Sequence, residues 1–479
     1  MLRHTVLVAF IVFASALSAT AQDAKDQVAA SIESRRSTYA DIARQIWSFA
    51  ELGYQEVKSS SLLQSQLKAA GFEVQAGVAE MPTAFVATYG KGKPIIAILA
   101  EFDALPGLSQ DAIPERRSIV EHGPGHACGH HLFGTASTAA AIAVKDWLVS
   151  SGTTGTIRLY GTPAEEGGSG KVYMVRAGLF DDVDVVLHWH PFDRNDASPA
   201  TTLANKSAKF RFYGISSHAA MYPDRGRSAL DGVEAMDYMV NMMREHIPSD
   251  ARIHYIITHG GEAPNVVPDF AEAYYYVRHP NVETLEDLWA RVVKASEGAA
   301  LGTGTRVEHE IISGVYSLLP NETLSRLMDG NLRRVGGVKH TPEEKAFAEA
   351  VRKTFGNTDL LLGSEEEIQP YKLKALEGST DAGDVSWVVP TAGVRTATWV
   401  PGTATHSWQA VAAGGMSIGM KGMIVAAKVI AMTAVDLFTD PSHVKAARAE
   451  IEQRRGKDFR YQPLLGERKP PLDYRNKEK

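Results

Sequence analysis

The chain's single cysteine lies in the segment Gly125-His126-Ala127-Cys128-Gly129-His130-His131. A thiol two residues from an imidazole puts two metal-binding donors on one tight turn, where both can face a single point. Carboxylates and further histidines recur in other short clusters: Glu101-Phe102-Asp103, Pro163-Ala164-Glu165-Glu166-Gly167-Gly168, His188-Trp189-His190-Pro191 and Thr403-Ala404-Thr405-His406. Taken singly, each has a plainer reading. Cys128 could be a buried structural thiol or a nucleophile. Glu165 and Glu166 could be an acidic pair at a helix start, which the helix dipole favours. His126 and His406 could be ordinary loop histidines. Their placement says more, because each carboxylate or histidine cluster follows an apolar run with strand character.

Those runs are residues 95–100, 156–160, 183–187 and 392–400, rich in β-branched and other apolar side chains. With residues 85–89 as a further strand, they alternate with helical stretches at 36–71 and 132–149, which predicts an α/β domain around a mainly parallel sheet. In such sheets, sites form at the carboxyl ends of the strands. The pattern changes near residue 206. A strand at 206–213 is followed by a helix at 228–244 with Leu230, Val233, Met236, Val240 and Met243 on one face. Strands at 252–258 and 271–278, a helix at 282–297 and a strand at 305–312 complete a βαββαβ order, that of a ferredoxin-like module. The expected organisation is a catalytic domain in two parts, 22–205 and 319–455, interrupted by an inserted module at 206–318. A helix is expected at 414–438. The charged, proline-containing residues 456–479 have the composition of a surface tail without fixed structure.

The 479 residues carry a formal net charge of −6, so no basic field invites nucleic acid. Arg3 and His4, the apolar run 5–17 and Ala19-Thr20-Ala21 have the form of a signal peptide, 1–21, with Gln22 as the first mature residue. The run is too short to span a bilayer, and no later segment suggests a transmembrane helix. An exported protein, periplasmic or secreted, is therefore expected. A lone thiol in an oxidising compartment invites oxidation unless something occupies it, and a bound metal would.

The sequence resembles the dinuclear-metal aminoacylase and carboxypeptidase superfamily, in the branch that holds the B-type chain of p-aminobenzoyl-glutamate hydrolase and related amidohydrolases. The resemblance rests on ELGYQE (51–56), EFDALPGLSQ (101–110), GHACGHHLFGTASTAAAIAVKDWL (125–148), GTPAEEGGSGK (161–171), WHP (189–191), SSHAAMYPDRGRSALDGVEAM (216–236), HYIITHGGEAPNVVPD (254–269), GSTDAGDVSWVVPT (378–391) and THSW (405–408), in that order. It implies an aminopeptidase-like catalytic domain with a ferredoxin-like lid that dimerises. It further implies two divalent ions, Zn²⁺ or Mn²⁺, held by Cys128, His130, Glu166, His190 and His406, with Glu165 as general base and Asp103 orienting a ligand histidine. His218 would polarise the substrate carbonyl, and Asn265 and Arg278 would touch substrate. The implied reaction is hydrolysis of an amide between an acyl or aroyl group and an amino acid, with p-aminobenzoyl-glutamate as the first candidate. An N-acyl-amino-acid aminoacylase or a dipeptidase is the alternative on the same site. A homodimer through the lid is expected, and a heteromer with a similar chain is the other arrangement. His188 competes with His190 for one ligand position, and His131 stands where many relatives have aspartate. Glu101 occupies a position not expected to bind metal in the cysteine-containing branch, and Asp381 and Asp384 fit either support of the site or turn chemistry.

Overall fold

The computed structural model describes residues 23–475, so the leader 1–21 lies outside the described residues. The larger sheet is built from β1 (Glu73–Ala76), β2 (Phe85–Lys91), β3 (Ile95–Ala100), β4 (Gly155–Gly161), β5 (Val185–Phe192) and a late strand, Thr391–Ala397. Their spatial order is β1-β2-β4-β3-β5 and then Thr391–Ala397. β4, β3, β5 and the late strand run parallel, and β1 and β2 are antiparallel at one edge. β3 is buried at every position, which explains its unbroken apolar run. Helices His130–Ser151 and Ser417–Thr439 pack on each other and on the sheet.

The inserted module has its own sheet and core. A short strand β6 (Ala200–Thr201) precedes β7 (Ala204–Tyr213), β8 (Arg252–His259), β9 (Phe270–His279) and β10 (Arg306–Val315). The last four form an antiparallel sheet in the order β10-β7-β9-β8. Helices Ala229–Met243 and Val282–Thr303 cover it through Val233, Met236, Leu288 and Val292, packed over Phe210, Phe212 and Val277. The chain is thus an α/β protein with a mainly parallel central sheet and a βαββαβ insertion. Later in the chain come β11 (Lys374–Ala375), which pairs with β6, and β12, the late strand Thr391–Ala397 already placed in the large sheet.

Local details differ from the sequence reading in four places. The helical stretch 36–71 is two helices, Arg36–Phe49 and Val57–Ala69, with Ala50 left-handed between them. β5 continues past Leu187 through His188 and His190. Its neighbour β3 pairs only with Val185–Leu187, so the second half of β5 holds its conformation through β12 alone and opens one side to the site. The helix expected at 414–438 breaks at Met416 into Trp408–Gly415 and Ser417–Thr439. The second of these is apolar and long enough to cross a membrane, but it is a core helix, enclosed by its neighbours.

The fourth difference is the carboxyl-terminal segment, which is not a loose tail. Leu464 and Leu465 are buried, and the Tyr461 hydroxyl donates to Asp384 at 2.7 Å. Arg468 donates to the carbonyl of Ile312 at 2.8 Å and to Glu310 at 3.1 Å, both on β10. The Tyr474 hydroxyl donates to the carbonyl of Glu166 at 3.0 Å. The charged composition is misleading because arginines here spend their charge on backbone carbonyls and one carboxylate while the tyrosines and leucines bury their apolar bodies.

Candidate active site

Four strands and the start of one helix deliver the chemistry to one edge of the large sheet. β3 ends at Ala100 and leads into Glu101 and Asp103; β4 ends at Gly161 and leads into Glu165 and Glu166. His190 lies within β5, and His406 follows β12 by a short loop. Gly129, left-handed at φ 76°, turns the chain between Cys128 and His130 and starts the helix His130–Ser151. The backbone N–H of His406 donates to the carbonyl of Ala127 at 3.1 Å, tying its loop to the cysteine turn.

These side chains converge. One ligand atom each from Cys128, His130 and His190 lie within 4.8 Å of one another, as do those of Cys128, Glu166 and His406. Cys128 belongs to both groups. A third group joins Glu101, His130 and Glu165 at the same spacing limit. The Cys128 Sγ is 3.3 Å from His190 Nε2. Between the two competing histidines, His190 enters a ligand group, whereas His188 lines the cavity and packs its ring against Gly393.

The donor set and its unmet hydrogen bonds fit cations. Glu101 Oε2, His130 Nε2 and Glu166 Oε1 are buried without a hydrogen-bond partner. Glu101 Oε2 and His130 Nε2 are 3.1 Å apart, and Glu166 Oε1 is 3.0 Å from His406 Nε2, yet the geometry is not that of hydrogen bonds. Buried polar atoms are rarely left so, and a divalent ion would satisfy them. The surroundings prepare the ligands. Asp103 Oδ1 lies 2.8 Å from His130 Nδ1, and Oδ2 accepts the N–H of Glu166 at 2.9 Å, so one carboxylate fixes two ligand residues. Burial pushes the Cys128 thiol up, opposed by the nearby His130 charge; a cation in contact would instead favour thiolate. Burial likewise holds His190 neutral, the protonation state that ligates. Glu166 raises the His406 imidazole.

Glu165 lies on the wall of the same cavity. Burial raises its carboxyl well above the usual range, and the negative charges of Glu101, Glu166 and Asp381 add to that. A carboxyl so placed can carry a proton near neutral pH. The conformation of its loop is held from outside: Ala164, left-handed at φ 57°, donates its N–H to Glu56 at 2.8 Å, and the Tyr54 hydroxyl donates to the carbonyl of Gly168 at 2.6 Å. Lys171, fully buried, places its Nζ 2.7 Å from Glu101 and 2.6 Å from Asp381. The Asp381 side chain therefore holds a buried cation and makes no cap bond to the helix Ala382–Val388. Asp384 accepts from the Tyr316 N–H and from the Tyr461 hydroxyl, with burial pushing it up to about 7.

The cavity measures about 630 Å³ and is lined by the ligand-bearing floor, Tyr276 and Arg278 of the lid and Arg395 of β12. That is ample for a small acylated amino acid. Of the three residues expected to touch or polarise substrate, Arg278 lines the cavity, but His218 and Asn265 do not. They sit side by side on the lid, exposed, with the Ala219 N–H donating to the Asn265 carbonyl at 3.0 Å, and neither lines this cavity. His131 and His126 are structural: their Nε2 atoms lie 3.0 Å from the Gly414 carbonyl and 3.1 Å from the Ile46 carbonyl. The sequence reading missed Glu56, Tyr54 and Lys171. Tyr54 and Glu56 fall in ELGYQE and Lys171 ends GTPAEEGGSGK, so a signal existed, but no spacing rule announces their partners.

Residues 204–303 match the family model described as a peptidase dimerisation domain. Over 449 residues, 88% of this chain and 93% of the relative, the sequence is 44% identical to the B-type chain of p-aminobenzoyl-glutamate hydrolase from Escherichia coli. The chain belongs to the family of that p-aminobenzoyl-glutamate hydrolase chain. It is also 30% identical to the Xaa-Arg dipeptidase of Mus musculus, covering 89% of this chain and 92% of the relative. A dinuclear metal-binding peptidase of the M20 family from Bacillus subtilis has the same fold, with a TM-score of 0.58 at 19% identity over 85% of this chain and 99% of the other. Like other members of its family, the chain is a hydrolase of the metallopeptidase type, and its insertion is a peptidase dimerisation domain.

Proposed function

We propose that the protein hydrolyses the amide bond between an aroyl group and glutamate, with p-aminobenzoyl-glutamate as the first substrate to try. The observation that carries this reading is the convergence of Cys128, His130, Glu166, His190 and His406 beside the Glu165 carboxylate, at the floor of a cavity whose lid wall offers Arg278. The name of the 44% identical relative supports the choice of aroyl-glutamate. Two divalent ions fit the two ligand groups that share Cys128; thiolate leans to zinc, and imidazole with carboxylate admits manganese. When bound, they supply Lewis acidity and a lowered pKa for water.

The chain's own residues do the rest. Glu165 accepts the proton of the attacking water and passes it to the departing amine. Asp103 keeps His130 in the tautomer whose Nε2 faces the site. Arg278 pairs with the α-carboxylate of the amino acid. His218 and Asn265 complete a site in a second copy of the chain, which is why they stand outside the cavity of their own. The exposed Ile256 and Ile257 on the edge strand β8 and Val266 beside Asn265 supply the apolar contact for that dimer. A similar but different chain could take the same place, and export with removal of residues 1–21 completes the proposal.

Turnover of p-aminobenzoyl-glutamate, other N-acyl amino acids and dipeptides is to be compared with Zn²⁺ or Mn²⁺ and after chelation. Release of p-aminobenzoate that chelation abolishes and iodoacetamide does not is expected. Dipeptide or aliphatic acyl turnover without aroyl-glutamate turnover would move the assignment to a dipeptidase or aminoacylase. Activity that survives chelation and dies with iodoacetamide would replace the metal reading with a cysteine nucleophile.

A further inference from the structure

The carboxyl-terminal segment brings a guanidinium into the substrate cavity. After Arg468 fastens to β10, the chain reaches the Glu165 loop, where the Tyr474 ring meets Tyr54 edge-on at 5.7 Å and its hydroxyl binds the Glu166 carbonyl. Arg475 follows and lines the cavity. One of its terminal nitrogens donates to the Glu166 carbonyl, its Nε is buried without an acceptor, and its carbon lies 4.8 Å from the Tyr474 ring centroid. Arg278, across the lid wall, also has a buried Nε without an acceptor; among the described residues its side chain makes one hydrogen bond, a long 3.4 Å contact with Ser379. The two arginines flank a pair of tyrosines. Arg278 lies over the Tyr276 ring at 5.5 Å, Tyr276 and Tyr274 share a 3.2 Å hydroxyl contact, and the charge of Arg475 is felt at Tyr274. The third cavity arginine, Arg395, lies over Phe192 at 5.3 Å, feels the opposite charges of Asp196 and Asp193, and is not among the residues with a buried Nε lacking an acceptor.

A cavity with two under-bonded guanidinium groups suits a ligand with two carboxylates. We propose that Arg475 binds the side-chain carboxylate of the amino acid whose amide is cleaved, while Arg278 takes the α-carboxylate, so that the carboxyl-terminal segment sets the preference for an acidic residue. This rests on the amide-hydrolase reading above and deepens it. A guanidinium pairing with a carboxylate is needed only by the acidic substrate, so its loss falls on KM for that substrate and on the ratio between acidic and neutral ones.

The test measures kcat and KM of full-length wild type, Arg475→Gln, Arg475→Lys and Arg395→Gln on p-aminobenzoyl-glutamate and p-aminobenzoyl-glutamine. Wild type should favour the glutamate amide, and Arg475→Gln should shrink that ratio by about tenfold or more through KM, as expected for a charge-assisted bond. Arg475→Lys should restore part of it. An unchanged ratio in Arg475→Gln, equal loss on both substrates, collapse in Arg395→Gln instead, or a wild type indifferent to the side-chain carboxylate would each overturn the assignment while leaving the amidase reading in place. A wild type that cleaves no aroyl amide would overturn that reading. Calorimetric binding of free glutamate and glutamine to wild type and Arg475→Gln then decides the role of Arg475: a glutamate preference lost in the variant upholds it, and equal behaviour sinks it.

Discussion

Gly129 shows how a single backbone position can control a metal site. Its φ of 76° is open to glycine at little cost, and a Cβ there would stand 2.7 Å from the Pro191 Cβ. Pro191 immediately follows His190, so any side chain at 129 pushes on two ligand segments at once. Gly129→Ala is therefore expected to lower bound metal below two ions per chain as well as activity, with the fold retained by circular dichroism; full metal content in the variant would show that the turn has slack. Glu165 is the opposite case. Glu165→Gln keeps shape and removes proton transfer, so kcat should fall by about 10²–10⁴-fold with metal content unchanged, and undiminished turnover would move the base elsewhere. The clustering of the candidate ligands was legible because thiol, imidazole and carboxylate side chains recur at successive strand ends, and the family resemblance then named the set. Their supports were not. Lys171 and Asp381 are 210 positions apart and Glu56 and Ala164 are 108 apart, and nothing in local pattern foretells such pairs.

Elements were read well where one face is apolar and poorly where tertiary contacts override the local pattern. The βαββαβ order of the lid follows from alternating strands and one-sided helices. The extension of β5 through its two histidines comes from pairing with β12, and the order of the carboxyl-terminal segment comes from Tyr461, Leu464 and Arg468 finding partners on other elements. Within the lid, Asp237 on the helix Ala229–Met243 accepts from the Tyr275 hydroxyl of β9, and burial pushes its carboxyl up to about 6 from 3.8. The folded lid thus holds a proton that the unfolded chain has released between those values. The unfolded state then binds fewer protons, so stability falls as pH rises through this window. Asp237→Asn keeps an acceptor for Tyr275 and removes the titration. Urea midpoints for wild type and variant from about pH 4 to pH 7 should show wild type losing ground to Asp237→Asn as pH rises. A constant gap between them would mean that Asp237 titrates alike in both states.

At the scale of the whole molecule, the position of His218 and Asn265 sets the argument. Both are on the lid, exposed, in a module matching a peptidase dimerisation domain, and the cavity that holds Glu165 lacks them. If they serve catalysis, a second chain must bring them, and two-fold pairing gives each site Glu165 from one chain and His218 from the other. Such a shared site behaves in a way that a self-sufficient chain cannot reproduce. Glu165→Ala and His218→Ala homodimers should each be nearly inactive. Dissociated, mixed in equal amounts and reassociated, half the dimers carry one variant of each kind, and each of these has one intact composite site, so about a quarter of wild-type activity should return. Recovery must follow the exchange of chains in time, and Ile256→Lys in both chains, placed on the edge strand β8, should abolish it by blocking association. Mixtures that regain nothing while sedimenting as dimers would confine His218 to its own chain or leave it outside the reaction.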